Sequence, residues 1–102
     1  MQIDKLRGEQ LDRLFDAILT LETREECYQF FDDIATMSEV QSFAQRLQVA
    51  KMLEEGRTYH AIVEKSSAST TTISRVKRCL TYGNDGYQMV LGRLQESKQE
   101  EK

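Results

Sequence analysis

The sequence predicts an all-α fold of six helices joined by short turns, and three observations carry that expectation. The 102 residues include no proline, no tryptophan and five glycines, so the chain has few of the breakers that a β-rich fold needs at its corners. Apolar residues recur at three- and four-residue spacing along successive stretches, the period of one helix face. Between those stretches stand residues that start and stop helices. The length suits one domain, so residues 1–97 are expected to fold as a single all-helical unit, with a polar tail at 98–102 that frays.

The elements follow in order. Leu11, Leu14, Phe15, Ile18 and Leu19 form the apolar stripe of a first helix. Thr23-Arg-Glu-Glu26 is a capping box, in which the threonine accepts from a backbone amide and the glutamate reaches back. It opens a second helix with Cys27, Phe30, Phe31 and Ile34 on one face. A second box, Thr36-Met-Ser-Glu39, opens a third helix expected to turn Val40, Phe43, Leu47, Ala50 and Leu53 inward. Gly56 is placed to end it, because glycine adopts the left-handed backbone of a helix C-terminus at little steric cost. Thr58 caps a short fourth helix to about Ser66, Ser67-Ala68-Ser69 makes a corner, and a fifth helix runs from about Thr70 to Leu80. Gly83-Asn-Asp-Gly86 is a turn, and Tyr87, Val90, Leu91 and Leu94 mark a sixth helix.

The net charge of −3 conceals a polarity along the chain. Residues 1–41 hold four lysines and arginines against ten acids, a balance of −6; residues 42–82 hold seven against three, a balance of +4. A polyanion responds to the local field, since charge beyond about 10 Å is largely screened at ~0.1 M salt. No export signal and no membrane-length apolar run is visible, which predicts a cytoplasmic protein with no membrane partner. Cys27 and Cys79 lack CxxC spacing and are expected to be reduced, mostly buried thiols. His60 has no Cys or His companion at ligand spacing, so no metal is expected.

Residues 58–80 have the pattern of a helix-turn-helix: a bracing helix, a tight turn, and a second helix with one buried and one exposed side. On a helical wheel Ile73, Val76 and Leu80 fall together and are expected to pack on Ile62 and Val63. Thr71, Ser74, Arg75 and Arg78 lie opposite, with Thr70 and Lys77 at the margin. That outward side carries no acid. Its hydroxyls can bond phosphates or base edges, and its cations attract phosphate. Three successive threonines are a poor choice for an idle helix surface, each costing a few tenths of a kcal/mol relative to alanine. The residues therefore predict binding of double-stranded DNA through Thr70, Thr71, Ser74, Arg75, Lys77 and Arg78, with Arg57 adding to the basic segment.

The run from Ile62 to Leu80, with Thr72-Ile-Ser-Arg75 at its centre, followed by Tyr82-Gly83 and Gly86-Tyr87, resembles the Trp repressor superfamily, in particular its YerC/YecD branch. Gln45 to Gly56 fits the same pattern, so the resemblance covers about residues 30–90. It implies a six-helix, Trp-repressor-like fold, an intertwined homodimer, and a second motif helix that enters the major groove with Thr70, Thr71 and Ser74 nearest the bases. Ser67 departs from the glycine usual at the turn, and Val63 from the small residue usual in the bracing helix. A non-glycine residue in a left-handed turn costs of order 1 kcal/mol, so a reshaped or strained turn is expected. The resemblance also places Arg46 and Arg75 where two arginines flank a bound amino-acid corepressor such as L-tryptophan. The competing reading gives both arginines to phosphates or local ion pairs, arginine being common in that role, and no cofactor is expected.

Two other function classes compete with DNA binding. A helical protein-interaction module with an incidental basic patch is the alternative to specific DNA binding. An enzyme is not expected. The carboxylates fall on solvated faces, His60 has no acid and nucleophile beside it in the pattern, and there is no phosphate-binding glycine loop.

Overall fold

In the computed structural model, which describes residues 1–100, the capping and stop residues delimit six α-helices and one short 3-10 helix, Gln2–Leu6, with no strand among the described residues. The helices are α1 (Glu9–Leu19), α2 (Arg24–Ile34), α3 (Met37–Glu54), α4 (Tyr59–Ser66), α5 (Thr70–Tyr82) and α6 (Gly86–Glu100). The expected all-α, six-helix class is what the chain adopts. The 3-10 helix was not anticipated; Asp4 there pairs with the N-terminal ammonium and with Arg7. The α6 helix extends through Glu100, so of the expected tail residues 101 and 102 lie outside the described residues.

The chain divides into two compact units, Met1–Val40 and Gln41 onward. In the first, Thr23 Oγ1 accepts from the Glu26 amide at 3.1 Å, and the Glu26 carboxylate accepts from the Glu22 amide at 2.8 Å, one residue earlier than a regular capping box. Leu11, Leu14 and Ile18 are half-buried, Leu19 is 80% exposed, and neither α1 nor α2 has a buried residue. Phe30 and Phe31 meet edge to face with ring centroids 5.5 Å apart, a geometry aromatic quadrupoles favour. Cys27 is a free thiol, and it is exposed where a mostly buried one was expected.

The second unit holds the core: Val49, Ala50 and Met52 of α3, Ile62 of α4, Ala68 of the corner, Ile73 and Val76 of α5, and Leu91 of α6. The inward side of α3 differs from expectation. Ala50 is buried and Leu47 and Leu53 pack at the margin, but Val49 and Met52 are buried while Val40 and Phe43 are exposed. The α3 helix carries apolar residues on more than one side, and spacing alone does not say which side its own chain covers. Gly56 ends α3 at φ 78°. The Arg57 amide donates to the Met52 carbonyl at 3.1 Å and the Gly56 amide to the Leu53 carbonyl at 3.0 Å, the paired bonds of a Schellman C-terminus.

No helix among the described residues is long and apolar enough to cross a membrane. No group of three His, Cys, Asp or Glu side chains among them is arranged to hold a metal ion.

Candidate nucleic-acid interface

Two hydroxyl caps build the motif. Thr58 Oγ1 accepts from the Ala61 amide at 3.1 Å and starts α4. Ser69 Oγ accepts from the Thr72 amide at 3.1 Å and starts α5. Each satisfies a backbone donor that has no partner within the first helical turn. Between the helices Ser67 sits at φ 60°, ψ 14°. The turn therefore keeps its left-handed form with serine in place of glycine, at a cost of order 1 kcal/mol. It is not reshaped: the Ser67 amide donates to the Val63 carbonyl at 2.9 Å, and the Ala68 amide donates to Ser66 Oγ at 3.1 Å.

The aliphatic side of α5 faces the core, with Ile73 and Val76 buried and Leu80 and Val63 packed at its margin beside buried Ile62. Thr70, Thr71, Ser74, Arg75, Lys77 and Arg78 are all exposed. Thr72 is half-buried, and its hydroxyl accepts from Ser69 Oγ at 3.1 Å, so it is committed to the cap. The α5 helix contains no acid, and neither Arg75 nor Arg78 forms an ion pair among the described residues. A positive helix end, free hydroxyls and unpaired guanidiniums on one surface suit a polyanion.

The other two predicted cations are differently engaged. The Lys77 ammonium lies 5.6 Å from the centre of the Tyr59 ring, a cation–π distance. Arg57 Nε lies 4.0 Å from the Glu55 carboxylate. Both residues line a cleft of about 590 Å³ together with Thr58, Thr81 and Gln88.

Two features missed in the sequence end α5. Gln88 Nε2 donates to the Leu80 carbonyl at 2.8 Å, filling a last-turn acceptor, while its Oε1 is buried with no protein partner among the described residues. A Cβ at Gly83 would stand 2.2 Å from the Cys79 carbonyl oxygen, so only glycine fits there. The Gly83-Asn-Asp-Gly86 pattern signals a turn, but not this approach.

The two arginines considered for a ligand are not brought together in one pocket. Arg46 lines a largely apolar groove of about 550 Å³ with Phe43, Leu47, Cys79 and Tyr87. Arg75 is not among the residues lining it and stands on the exposed side of α5. Burial pushes the Tyr87 hydroxyl above its usual 10.0, with Cys79 adding to the shift and Arg46 opposing it. Cys79 is a free thiol and exposed, again unlike the buried one expected.

The family model described as Trp repressor protein matches residues 9–95. The chain belongs to the Trp repressor family. Within that family it is 63% identical over 100 residues to the uncharacterized protein YerC of Bacillus subtilis (strain 168), an alignment covering 98% of this chain and 96% of that protein. It is also similar to a crystal structure from Staphylococcus aureus named provisionally as a Trp repressor, with a TM-score of 0.91, 66% identity, and coverage of 93% of this chain and 95% of that one. A TrpR-like protein from Eubacterium eligens ATCC 27750 superposes with a TM-score of 0.87 at 54% identity, covering 89% of this chain and 94% of that one. The Trp repressor family takes its name from a regulator, and the helix-turn-helix is the part of such a regulator seen in this chain.

Proposed function

We propose that this Trp repressor family member is a sequence-specific, duplex-DNA-binding transcriptional regulator, a repressor in sign, acting as a homodimer in the cytoplasm. The observation that carries the reading is the composition of one surface: every exposed side chain on the outward side of α5 from Thr70 to Arg78 is a hydroxyl or a cation. Under this reading α5 enters the major groove. Thr70, Thr71 and Ser74 meet base edges, and Arg75, Arg78, Lys77 and Arg57 meet phosphates. Catalysis has no part in it, and no amino-acid corepressor is required, since Arg75 is assigned to phosphate.

The homodimer is supported by apolar surface that one chain leaves open. Leu19 is 80% exposed in the first unit, and Phe43 58% and Leu94 52% in the second; large apolar side chains left open in this number suit a surface covered by a partner. The two compact units are taken to serve one DNA-binding domain spanning residues 1–97.

Selection of bound sites from random duplexes tests the proposal. A two-fold symmetric site should be enriched, its half-sites about one helical turn apart. Enrichment of no sequence, with a protein partner found instead, would move the chain to the interaction-module reading.

A further inference from the structure

The corner between α4 and α5 is held from outside the helix pair. Gln45, on α3 and 21 residues earlier in the chain, donates from Nε2 to the Ser66 carbonyl at 3.1 Å. That carbonyl belongs to the last residue of α4, where backbone acceptors lack partners within the helix. The Ser66 side chain spans the corner itself: its hydroxyl donates to the Ile62 carbonyl at 2.6 Å and accepts from the Ala68 amide at 3.1 Å. Ala68 is buried, so its amide has no recourse to water. Ser67, between the two, holds the left-handed backbone that a glycine would adopt without strain. A glycine corner is merely permitted by its backbone; this one has to be fastened.

We infer that Gln45 is a positioning residue for DNA reading: by gripping Ser66 it keeps the Ser67 corner left-handed and so sets the angle at which α5 presents Thr70, Thr71 and Ser74. The inference rests on the DNA-binding reading above. Gln45 lies on α3, outside the α5 surface, and acts only through the corner. Its loss should therefore blur which sequence is chosen while leaving phosphate attraction intact, because the cations of α5 stay in place. Arg46, the next residue, lines the groove described above.

Gln45→Leu removes the donor, keeps a side chain of similar volume and suits a helix. Amide exchange at Ala68 should quicken by about fivefold or more, since one hydrogen bond holding the corner is lost. The preference for a selected duplex over a scrambled one should fall about tenfold, with affinity for the scrambled duplex unchanged. Ser67→Gly added to Gln45→Leu should restore the preference, because glycine adopts the left-handed corner without the strain that serine carries there. Unchanged discrimination in Gln45→Leu would overturn the inference. Equal loss on both duplexes would overturn it too, as that is general damage to the fold. Should the unsubstituted protein show no preference, the DNA-binding reading itself fails, and the grip of Gln45 on the corner is then judged by Ala68 exchange alone.

Discussion

Ser69 and Thr72 close the N-terminus of α5 on each other: the Thr72 amide donates to Ser69 Oγ at 3.1 Å, and the Ser69 hydroxyl donates to Thr72 Oγ1 at 3.1 Å. One threonine of the three is thereby spent on structure, and Thr70 and Thr71 are left exposed. Ser69→Ala should lower unfolding free energy by about 1 kcal/mol, whereas Ser69→Asp should retain the cap. Thr71→Ala should change stability by less than about 0.5 kcal/mol. Urea unfolding of the three variants checks this, and equal effects of Ser69→Ala and Thr71→Ala would deny the cap its role.

At the other end of α5 the constraint is steric. With the Cys79 carbonyl 2.2 Å from where a Cβ would stand, Gly83→Ala forces the last turn to shift. A loss of about 1–3 kcal/mol is expected, as for other overpacked sites. A thermal midpoint equal to that of the parent would show that the chain passes this point differently.

Phe43 lies exposed on α3, with the Arg46 guanidinium carbon 6.0 Å from the centre of its ring. If a second copy covers it, Phe43→Ala should raise the dimer dissociation constant by about thirtyfold or more, since a large apolar contact would be lost. Light scattering across protein concentration should report dimer for the parent and monomer for the variant. A parent that is monomeric throughout would remove the homodimer from the account.

Much of this was legible before the fold. Thr23, Thr36, Thr58 and Gly56 act where local chemistry placed them, because caps and left-handed ends depend on neighbours in sequence. The two sides of α5 were legible for the same reason: a short helix with one apolar stripe has one way to face a core. The inner side of α3 was not. Val49 and Met52 compete with Val40 and Phe43, and only the tertiary fold decides which pair its own chain buries. Nor could spacing reveal Gln45 reaching Ser66, or Gln88 reaching Leu80, because glutamines leave no periodic trace. The exposure of Cys27 and Cys79 was not legible either, because the absence of a disulfide or metal pattern bears on a thiol's chemistry and not on its burial.

The Thr36–Glu39 box makes part of the acid stability predictable. Glu39 accepts from the Thr36 amide at 2.8 Å, and its own amide donates to Thr36 Oγ1 at 3.1 Å. The Thr36 amide first, and the Thr36 hydroxyl second, hold the Glu39 carboxyl below its ordinary 4.5. With the folded value depressed, the contribution is complete above the unfolded value and disappears as pH falls through the folded one. Glu39→Gln keeps the capping box and removes the titration. Its helicity should therefore depend less on pH below 4.5 than that of the parent. Superimposable acid titrations by circular dichroism would show that this box does not govern the start of α3.

The central claim is that the hydroxyl-and-guanidinium side of α5 reads duplex DNA, and a salt titration of binding to a selected duplex tests it most directly. The affinity of the parent should fall steeply and linearly on logarithmic axes. Arg78→Ala should weaken selected and scrambled duplexes alike and reduce the slope by about 1, while Thr71→Ala should leave the slope alone and lose preference among sites. Binding that ignores salt, or that neither substitution alters, would contradict the account.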